Sequence, residues 1–335
     1  MISPGSLGGG NHWNDELQTE KTIKQDFTLP AGTTTLRVEN EYGNLEIKPG
    51  TGNSVTVNAD LKIYATLRPP KKEETVPDVK ISGEASGDRF LVKLVVNSEI
   101  RRGRVHGDLT ITVPPNLAVE LKNSFGNISV EEVQGNLQVE NRNGEIEIGR
   151  VTGDATVNNQ FANVTIGTID GNLDINVSNG NIEIDQVGKN LTAHSQFGGL
   201  TVDSVLGDLQ ANSKNGGIEI GKVMGKTKVD NSFAGVTLRD CRGPVEAEVG
   251  YGNLDVELTQ LTGAYDFDVQ FANANITLPS NAKFTLDAST SFGKINGNLP
   301  IQPTTTGNTE SINGQINGGG PIIKIRNKNG NIEIQ

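Results

Sequence analysis

The chain has 335 residues, of which 41 are glycine and only 4% are aromatic, and its formal net charge is −11. Large side chains are too few for a broad globular core, and the net acidity argues against a nucleic-acid-binding protein, because that affinity comes mostly from Lys and Arg neutralising phosphates. The single cysteine, Cys241, excludes a disulfide framework and a cysteine metal site.

Residues 1–24 have no hydrophobic period and are rich in glycine near their start, which predicts a flexible arm. Trp13 is the only tryptophan and is therefore the candidate through which this arm docks on a partner. A tail with no such role is the alternative. The sequence has no run of 18 apolar residues and no basic-then-apolar signal sequence, so we expect a soluble chain without a membrane span.

Residues 25–120 are predicted to form the first turn of a repeat and a strand-rich segment that caps it. A repeat-like phrase runs from Leu36 to Ile47, and the pattern then breaks until about His106. Two stretches within the break, Ser54 to Ile63 and Lys80 to Val96, alternate like strands. Since the open end of a stack of strands exposes unpaired backbone, we expect this segment to fold over the first turn.

A short basic cluster ends this segment and comprises Arg101, Arg102, Arg104 and His106. Its charge makes it a candidate for binding an anionic glycan or a lipid head group. No aromatic residue is interleaved with it, so an ordinary solvated face is the alternative.

An 18-residue pattern recurs without a gap from Phe125 to Val249. Apolar residues occupy its fifth and seventh places, as in Ile146 and Ile148, and again its tenth, fourteenth and sixteenth places. A spacing of two is that of a β-strand, and a fixed period is typical of stacked-repeat proteins. The pattern therefore predicts an all-β fold, a parallel β-helix or β-solenoid, in which two strands close each turn of 18 residues.

The second place of each turn alternates between aromatic and amide residues, which predicts a structural ladder. We expect this ladder to point inward, with each ring flanked by smaller amides that hydrogen-bond along the stack. Its members are Phe125, Asn143, Phe161, Asn179, Phe197, Asn215 and Phe233, continued by Tyr251, Phe271 and Phe292.

The sixth place is predicted to point outward and carries Glu147, Glu183 and Glu219 in alternate turns, with threonine between them. These glutamates are candidate interaction residues. Their expected separation of ~9.6 Å, two strand spacings, is near the upper limit for paired catalytic carboxylates. Equivalent residues in equivalent settings should titrate alike, however, whereas acid–base catalysis needs two unlike sites.

Neither a catalytic nor a cofactor site is predicted. His12, His106 and His194 are dispersed along the sequence, so no metal cluster or nucleophilic triad is visible. The glycine-rich steps open no helix and are therefore corners and not phosphate-binding loops. The sequence thus favours a protein that is not an enzyme.

Residues 121–335 are predicted to be the regular solenoid, right-handed because parallel crossovers nearly always are, with about twelve turns. Residues 299–320, rich in Pro, Thr, Asn and Gly, are predicted to form a lateral loop. The chain stops directly after a strand. Asn329, Ile332 and Ile334 are therefore predicted to lie in an open edge strand that accepts another strand.

Two other repeats of similar period fit less well. The calcium-binding nonapeptide roll needs glycine and aspartate where this chain has apolar residues, as in Ile182 and Ile184. The left-handed hexapeptide helix places an aliphatic residue every six positions, whereas the interval here from Ile146 to Ala155 is nine. A calcium cage and an acyltransferase are both disfavoured.

Several phrases of the sequence resemble the bacterial and archaeal putative-adhesin domains of unknown function, also called toastrack-like domains. They are VENEYGNLEI at 38–47, NSFGNISV at 123–130, NRNGEIEIGRVTGD at 141–154 and NKNGNIEI at 327–334. The resemblance spans roughly Phe27 to Gln335. It implies an extracellular or envelope-associated β-solenoid, commonly tethered by an upstream segment, and it supplies no catalytic residues.

Three hypotheses for function follow. The favoured one is a non-enzymatic surface protein, an adhesin or structural stalk whose outer Thr, Asn and Glu rows bind a carbohydrate or an envelope protein. The second is a filament subunit that binds copies of itself, end to end or through the arm. The third is a polysaccharide lyase or hydrolase. No nucleic acid is expected as a partner.

Overall fold

The computed structural model describes residues 16–66, 78–97 and 104–335, and these residues form strands, turns and no helix. None of the described segments is therefore a helix able to cross a membrane. The strands of the first part are β1 (Glu16–Thr28), β2 (Thr35–Tyr42), β3 (Leu45–Pro49), β4 (Ser54–Thr66), β5 (Asp78–Ser86), β6 (Arg89–Asn97) and β7 (Arg104–Val113).

The regular part of the chain alternates short strands with tight corners. It contains β8 (Ala118–Phe125), β9 (Ile128–Val133), β10 (Leu137–Asn143), β11 (Ile146–Val151), β12 (Ala155–Phe161), β13 (Val164–Ile169), β14 (Leu173–Asn179), β15 (Ile182–Val187), β16 (Leu191–Phe197), β17 (Leu200–Val205), β18 (Leu209–Ser213), β19 (Ile218–Val223), β20 (Thr227–Asn231), β21 (Val236–Arg239), β22 (Val245–Val249) and β23 (Leu254–Glu257).

The last part contains β24 (Tyr265–Val269), β25 (Ala274–Thr277), β26 (Phe284–Ser291), β27 (Ile295–Gly297), β28 (Thr304–Thr306), β29 (Thr309–Ile316), β30 (Ile322–Asn327) and β31 (Ile332–Ile334). All these strands belong to two long sheets. The first sheet has the order β1-β4-β7-β3-β9-β11-β13-β15-β17-β19-β21-β23-β25-β31-β27, and the second has the order β28-β29-β26-β30-β24-β22-β20-β18-β16-β14-β12-β10-β8-β2-β6-β5. The protein is an all-β solenoid with parallel pairing through its centre.

The register of the sheets follows the sequence period. In the second sheet Leu137 pairs with Ala155, and Ala155 in turn pairs with Leu173. In the first sheet Ile146 pairs with Val164 in the same way. Equivalent residues of successive turns therefore lie above one another, separated by one strand spacing of ~4.8 Å.

The core is a narrow band between the two sheets. Alternate residues of each strand point into it, so that Ile146, Ile148, Val157 and Ile175 are at most 1% exposed. The residues between them face outward. Because each side chain packs on its equivalent in the next turn, small and medium aliphatic residues fill most of this core, and large aromatics such as Tyr265 and Phe267 enter it near the end of the chain.

The Gly-Asn and Gly-Asp corners have a second role besides turning the chain. The side-chain oxygen of Asn136 accepts the main-chain N–H of Asp154 at 3.0 Å, and the carboxylate of Asp154 accepts that of Asn172 at 2.8 Å. The opposite corner uses Asn127, whose side-chain oxygen accepts the N–H of Glu145 at 3.0 Å. Each corner thus supplies an acceptor to the turn above, where the ladder of strand hydrogen bonds is interrupted.

The start of the solenoid is capped by antiparallel strands. In the first sheet β7 runs parallel to β3, β4 is antiparallel to β7, and β1 is antiparallel to β4. In the second sheet β6 runs beside β2 and is covered by β5. The prediction of a flexible arm over residues 1–24 is wrong for residues 16–24, which lie in β1, because this strand finds a long partner in β4.

The end of the solenoid is closed by the chain folding back into itself. Strand β31 lies between β25 and β27, and β30 lies between β24 and β26. Ile332 and Ile334 are consequently buried, and Asn329 is half-buried at the corner before them. The prediction that these three residues form an open edge strand is wrong, because the preceding turn leaves a gap that the last strands fill.

The segment at 299–320 differs from the predicted lateral loop. Most of it forms the β28–β29 hairpin, and β29 pairs antiparallel with β26 at the end of the second sheet. Glu310 of this hairpin accepts the main-chain N–H of Ile295 in the first sheet. The hairpin therefore covers an edge of the sheet and joins the two sheets at this end.

Candidate functional site

A groove runs along the outer face of the second sheet, across β8, β10, β12 and β14. Its volume is about 510 Å³. The residues that line it are Lys122, Asn123, Ser124, Glu140, Asn141, Arg142, Asn158, Asn159, Gln160, Asn176 and Ser178. Three of the lining amides, those of Asn123, Asn141 and Asn159, are buried and bonded to main-chain carbonyls at the corner. The neutral donors and acceptors that the groove presents are the accessible amides and hydroxyls, which belong to Ser124, Asn158, Gln160, Asn176 and Ser178.

Strand pairing explains why these groups are brought together. Outward residues of the central row stack in register, since Lys122 pairs with Glu140, Glu140 with Asn158 and Asn158 with Asn176. The Lys122 ammonium lies 3.6 Å from the Glu140 carboxylate, and both side chains are about half exposed. The charged end of the groove is thus an exposed ion pair, which contributes little to stability, and the remainder of the row is neutral.

The row beside it lies closer to the corner and is also polar. The Arg142 guanidinium donates to the side-chain oxygen of Gln160 at 3.2 Å. Glu140 is the only carboxylate among the lining residues. Because it has a lysine partner and no second carboxylate beside it, the groove does not present the paired acid and base of a glycoside hydrolase.

A second open cavity of about 580 Å³ lies among the loops near the end of the solenoid. Leu261, Pro279 and Pro321 contribute to its wall, and Lys283 is its only ionisable lining residue. It holds no cluster of reactive groups, and it lies away from the rows of the repeat.

The predicted inward ladder is on the outside of the molecule. The aromatic members are exposed by between 43%, for Phe125, and 68%, for Phe292. Asn143 is half-buried, and Asn179 and Asn215 are exposed. The inward placement is therefore wrong for the whole set, which comprises Phe125, Asn143, Phe161, Asn179, Phe197, Asn215, Phe233, Tyr251, Phe271 and Phe292.

The corner geometry explains this outward position. Asn141, two places before Asn143, is buried, and its side-chain amide donates to the carbonyl oxygens of Gly126 and Gly144 at 3.1 and 3.0 Å. Gly144 has a φ of +139°, and a Cβ there would lie 2.1 Å from the Gly126 carbonyl oxygen. The chain therefore bends beside Gly144, the Asn141 amide fills the inside of the corner, and the Asn143 side chain is directed outward.

Rings of adjacent turns stack where the alternation ends. Tyr42 and Phe125 lie 5.3 Å apart with an interplanar angle of 4°. Phe233, Tyr251 and Phe271 form a continuous stack with centroid distances of 5.6 and 4.8 Å. Beyond it, Asn329 donates its main-chain N–H to Gln270 and so occupies the turn between Phe271 and Phe292.

The predicted acidic row faces outward on the first sheet, on a different sheet from the groove. Thr165 pairs with both Glu147 and Glu183, and Thr201 pairs with both Glu183 and Glu219. All three glutamates are exposed, and Glu219 is paired with Arg239. The row is therefore solvent-facing with threonines between its charges.

The remaining predicted interaction residues are Trp13 and the basic cluster, and the structure describes only part of this set. Trp13 and the basic residues Arg101 and Arg102 lie outside the described residues. His106 lies within them, and its ring is 3.2 Å from the carboxylate of Asp108. A role for the basic cluster in binding anions remains a prediction.

Within residues 16–66, 78–97 and 104–335, no three His, Cys, Asp or Glu side chains come together as a group that could hold a metal ion. Cys241 is buried beside Val223 of the preceding turn. Burial raises the pKa of its thiol to about 11. The thiol is consequently a packing group with little thiolate at neutral pH.

The groove residues were not identified from the sequence. Asn158, Gln160 and Asn176 lie at outward places where polar residues are expected in any solenoid. A signal was nevertheless present, because amides and hydroxyls outnumber charges in these rows between Gln138 and Asn212. An uncharged polar face in a chain with a net charge of −11 is a deviation that could have marked this surface.

Comparison with known proteins gives one family and several solved structures of similar chains, among them the two that follow. The family model described as Toastrack DUF4097 matches residues 33–335. A solved structure of a "putative cell adhesion protein" from Clostridium sporogenes aligns with 12% identity and a TM-score of 0.20, covering 94% of this chain and 99% of the other. A "putative adhesin" from Bacteroides fragilis aligns with 16% identity and a TM-score of 0.27, covering 94% and 97%. No curated protein matches the chain.

Proposed function

The chain belongs to the Toastrack DUF4097 family, and we propose that it is a non-enzymatic adhesin that binds a carbohydrate on the polar face of its second sheet. The observation that supports this most directly is the groove of about 510 Å³ with its lining of amides and hydroxyls. Sugar hydroxyls both donate and accept hydrogen bonds, and the side chains of Asn, Gln and Ser do the same.

The geometry of the groove favours an extended ligand. Its rows run along the solenoid axis, with Asn158 and Asn176 one strand spacing apart, ~4.8 Å. A chain of sugars laid along this axis meets a new polar side chain at each turn. Such repeated contacts make affinity rise with the number of sugars that are engaged at once.

A neutral ligand is favoured over an anionic one. The groove has a lysine and an arginine, but Lys122 is paired with Glu140 and Arg142 is bonded to Gln160. The row continues beyond Asn176 with His194 and Asn212, as the strand register shows. Among the lining residues Arg142 is therefore the one cation whose charge no carboxylate offsets, and a single guanidinium is a weak attraction for a polyanion in a chain that is acidic overall.

The remaining parts of this proposal concern location and finer architecture. We place the protein in the extracellular space or the cell envelope, as expected for an adhesin. We propose a right-handed coil with 18 residues per turn and about twelve turns, which gives a length of roughly 55 Å. Small-angle X-ray scattering would measure this length in solution.

The test is a panel of neutral and anionic oligosaccharides of increasing length, scored for both retention and cleavage. We expect retention of neutral chains without cleavage, and tighter retention of longer chains. The variant Asn158→Ala/Asn176→Ala should lose most of this retention. The matched control Thr165→Ala/Thr201→Ala removes polar groups from the first sheet and should retain it.

Three results would overturn the proposal. Retention that is lost in the threonine control and kept in the asparagine variant would place the ligand on the first sheet. Shortened oligosaccharides after incubation would identify an enzyme. Binding to none of the sugars would remove the carbohydrate as the ligand of this face.

A further inference from the structure

The central stretch of the aromatic ladder has a regular alternation that the groove does not use. Phenylalanine occupies alternate turns as Phe125, Phe161, Phe197 and Phe233, and the turns between them carry Asn143, Asn179 and Asn215. The register places Asn143 directly between Phe125 and Phe161. Two rings flanking an asparagine are therefore two strand spacings apart, ~9.6 Å.

The space above each asparagine has the dimensions of one aromatic ring. Where adjacent turns both carry rings, the centroids are 4.8 to 5.6 Å apart and the planes are within 10° of parallel. A ring placed above Asn179 would lie at about this distance from both Phe161 and Phe197. We call each such space a slot, and the stretch contains three of them, above Asn143, Asn179 and Asn215.

The asparagine side chains leave the slots open. Each donates its amide N–H to a main-chain carbonyl oxygen of the preceding turn: Asn143 to Ser124 at 3.2 Å, Asn179 to Gln160 at 3.3 Å and Asn215 to Gln196 at 3.1 Å. An amide held in this way lies against the backbone and forms the floor of the slot. A guest ring therefore displaces no side-chain hydrogen bond.

We propose that two copies of this protein pair along their aromatic ladders, each inserting Phe125, Phe161 and Phe197 into the three slots of the other. A second copy supplies rings at the required two-turn spacing, because its ladder has the same period. The stacks already present within one chain, such as Phe233 on Tyr251, show the contact that each inserted ring makes. Offset stacked rings of this kind attract beyond the area that they bury.

Symmetry fixes how the two copies are arranged. Closed homodimers have two-fold symmetry. A two-fold axis parallel to the solenoid would set ring against ring at the same level. A two-fold axis perpendicular to the solenoid axis, placed midway between the levels of Phe161 and Asn179, brings Phe161 of each copy into the slot at the other copy's Asn179. The copies therefore run antiparallel and are offset by one turn.

The charge along this seam permits the approach of two acidic chains. The residues just before these seven ladder positions include no carboxylate; two are basic, and five are neutral. They are Ser124, Arg142, Gln160, Ser178, Gln196, Lys214 and Ser232. In a chain with a net charge of −11, this edge carries few charges, so two copies meet here with less repulsion than elsewhere.

The ring orientation favours an aromatic guest over a sugar chain in the slots. The stacked pairs show that ring faces point along the column of turns. An extended oligosaccharide lying along the solenoid would meet ring edges, whereas a flat ring inserted from outside meets a face on each side. The ladder adjoins the carbohydrate groove, which Ser124, Gln160 and Ser178 also line, but the pairing uses the rings and slots and does not depend on carbohydrate binding.

The test measures self-association by sedimentation equilibrium over a range of concentrations. The variant Asn179→Phe fills the middle slot from within its own chain and adds exposed apolar surface. The matched control Asn176→Phe adds the same side chain to the same strand β14, on the polar face. We expect wild type to dimerise, Asn179→Phe to dimerise at least tenfold more weakly, and Asn176→Phe to stay within about twofold of wild type.

The opposite ranking would overturn the proposal. If Asn179→Phe associates as tightly as wild type or more tightly, general apolar adhesion and not slot filling drives association. A wild-type protein that is monomeric up to about 1 mM, the weakest affinity worth assigning, would also refute pairing. Circular dichroism of each variant confirms the fold, and the added ring in Asn179→Phe continues a stack that the solenoid already tolerates at Tyr251.

Discussion

The buried asparagines inside the ladder corner should be coupled in pairs through shared carbonyl oxygens. The Gly126 carbonyl accepts from Asn123 at 3.1 Å and from Asn141 at 3.1 Å. The Gly144 carbonyl accepts from Asn141 at 3.0 Å and from Asn159 at 3.1 Å. Each carbonyl thus has two donors, one from its own turn and one from a neighbouring turn.

This arrangement predicts the cost of each substitution. Asn141→Val removes two donated hydrogen bonds and the one that its side-chain oxygen accepts from the Arg142 N–H. Each is worth about 0.5 to 1.5 kcal/mol, and the buried valine methyls return about 1 kcal/mol. Both carbonyls keep one donor, so we expect a loss of about 0.5 to 3.5 kcal/mol. Val177 occupies the same place two turns later, which shows that valine fits the corner.

The double variant Asn141→Val/Asn159→Val should cost more than the sum of its parts. It leaves the Gly144 carbonyl with neither side-chain donor, and an unsatisfied buried acceptor costs about 1 to 3 kcal/mol. The control pair Asn123→Val/Asn159→Val shares no carbonyl and lies ~9.6 Å apart, two strand spacings. Its effects should add within about 0.5 kcal/mol.

The assay is equilibrium unfolding in urea followed by far-ultraviolet circular dichroism, which reports the loss of the sheets themselves. Free energies are compared at constant m-value, so that a change in midpoint is a change in stability. Equal additivity of the two pairs would refute the reasoning, since it would mean that shared carbonyls do not couple the turns.

Three further predictions test the packing and the cap. Burial raises the pKa of the Cys241 thiol from 9.0 to about 11. The protonated thiol therefore contributes about 2 to 3 kcal/mol to the stability of the folded state below about pH 9, and this contribution is lost as the pH rises through about 11. Cys241→Val should reduce the loss of stability in alkaline unfolding titrations, and an unchanged profile would contradict this assignment. Phe161→Ala should cost below about 1 kcal/mol in urea unfolding, because the ring is half exposed, whereas about 3 to 5 kcal/mol would indicate a buried ring. The hydrogen bond from the Ile295 N–H, and to a lesser degree Lys294, lowers the pKa of Glu310, so the stabilisation from this carboxylate is present above about pH 4.5 and is lost as the pH falls. Glu310→Gln should weaken the hydrogen-exchange protection of β29 at pH 7 and reduce the difference in that protection between pH 7 and pH 3. Equal protection of the variant and the wild type would argue against this link between the sheets.

The period of the sequence was sufficient to predict the class of fold. Residues such as Ile146 and Ile148 alternate within a strand, and a fixed interval between turns requires equivalent positions to stack. The all-β solenoid and the outward acidic row follow from these two facts alone. Both depend on the alternation of apolar and polar residues within a strand, which can be read directly from a single sequence.

The ladder was misplaced because strand alternation was extended through a corner. Asn141 and Asn143 are two apart and would share a face in a straight strand, but the positive φ of Gly144 bends the chain beside them. The inside of the corner is also occupied, since the Asn141 amide bonds two carbonyls there. The side-chain amide that hydrogen-bonds the corner carbonyls can be identified only from the three-dimensional structure.

The two ends were misjudged for a different reason. Repetition in the sequence says which residues stack but not in which order the turns are stacked. The insertion of β31 between β25 and β27 reverses the expected order of the last two turns. The pairing of β1 with β4 likewise joins segments whose sequences carry no mutual signal.

The polar groove could be recognised only after the strands were in register. Glu140, Asn158 and Asn176 are 18 positions apart in sequence and become neighbours in one row. Their individual identities are unremarkable for outward strand positions.

The outward display of the aromatic ladder is the claim on which the corner geometry and the pairing of copies both depend. Fluorine NMR of protein labelled with fluorophenylalanine, in the presence of a soluble paramagnetic agent, measures it directly. We predict strong broadening of the signals of Phe161 and Phe197 and little effect on Phe267, which is fully buried. Equal protection of all three rings would contradict the account.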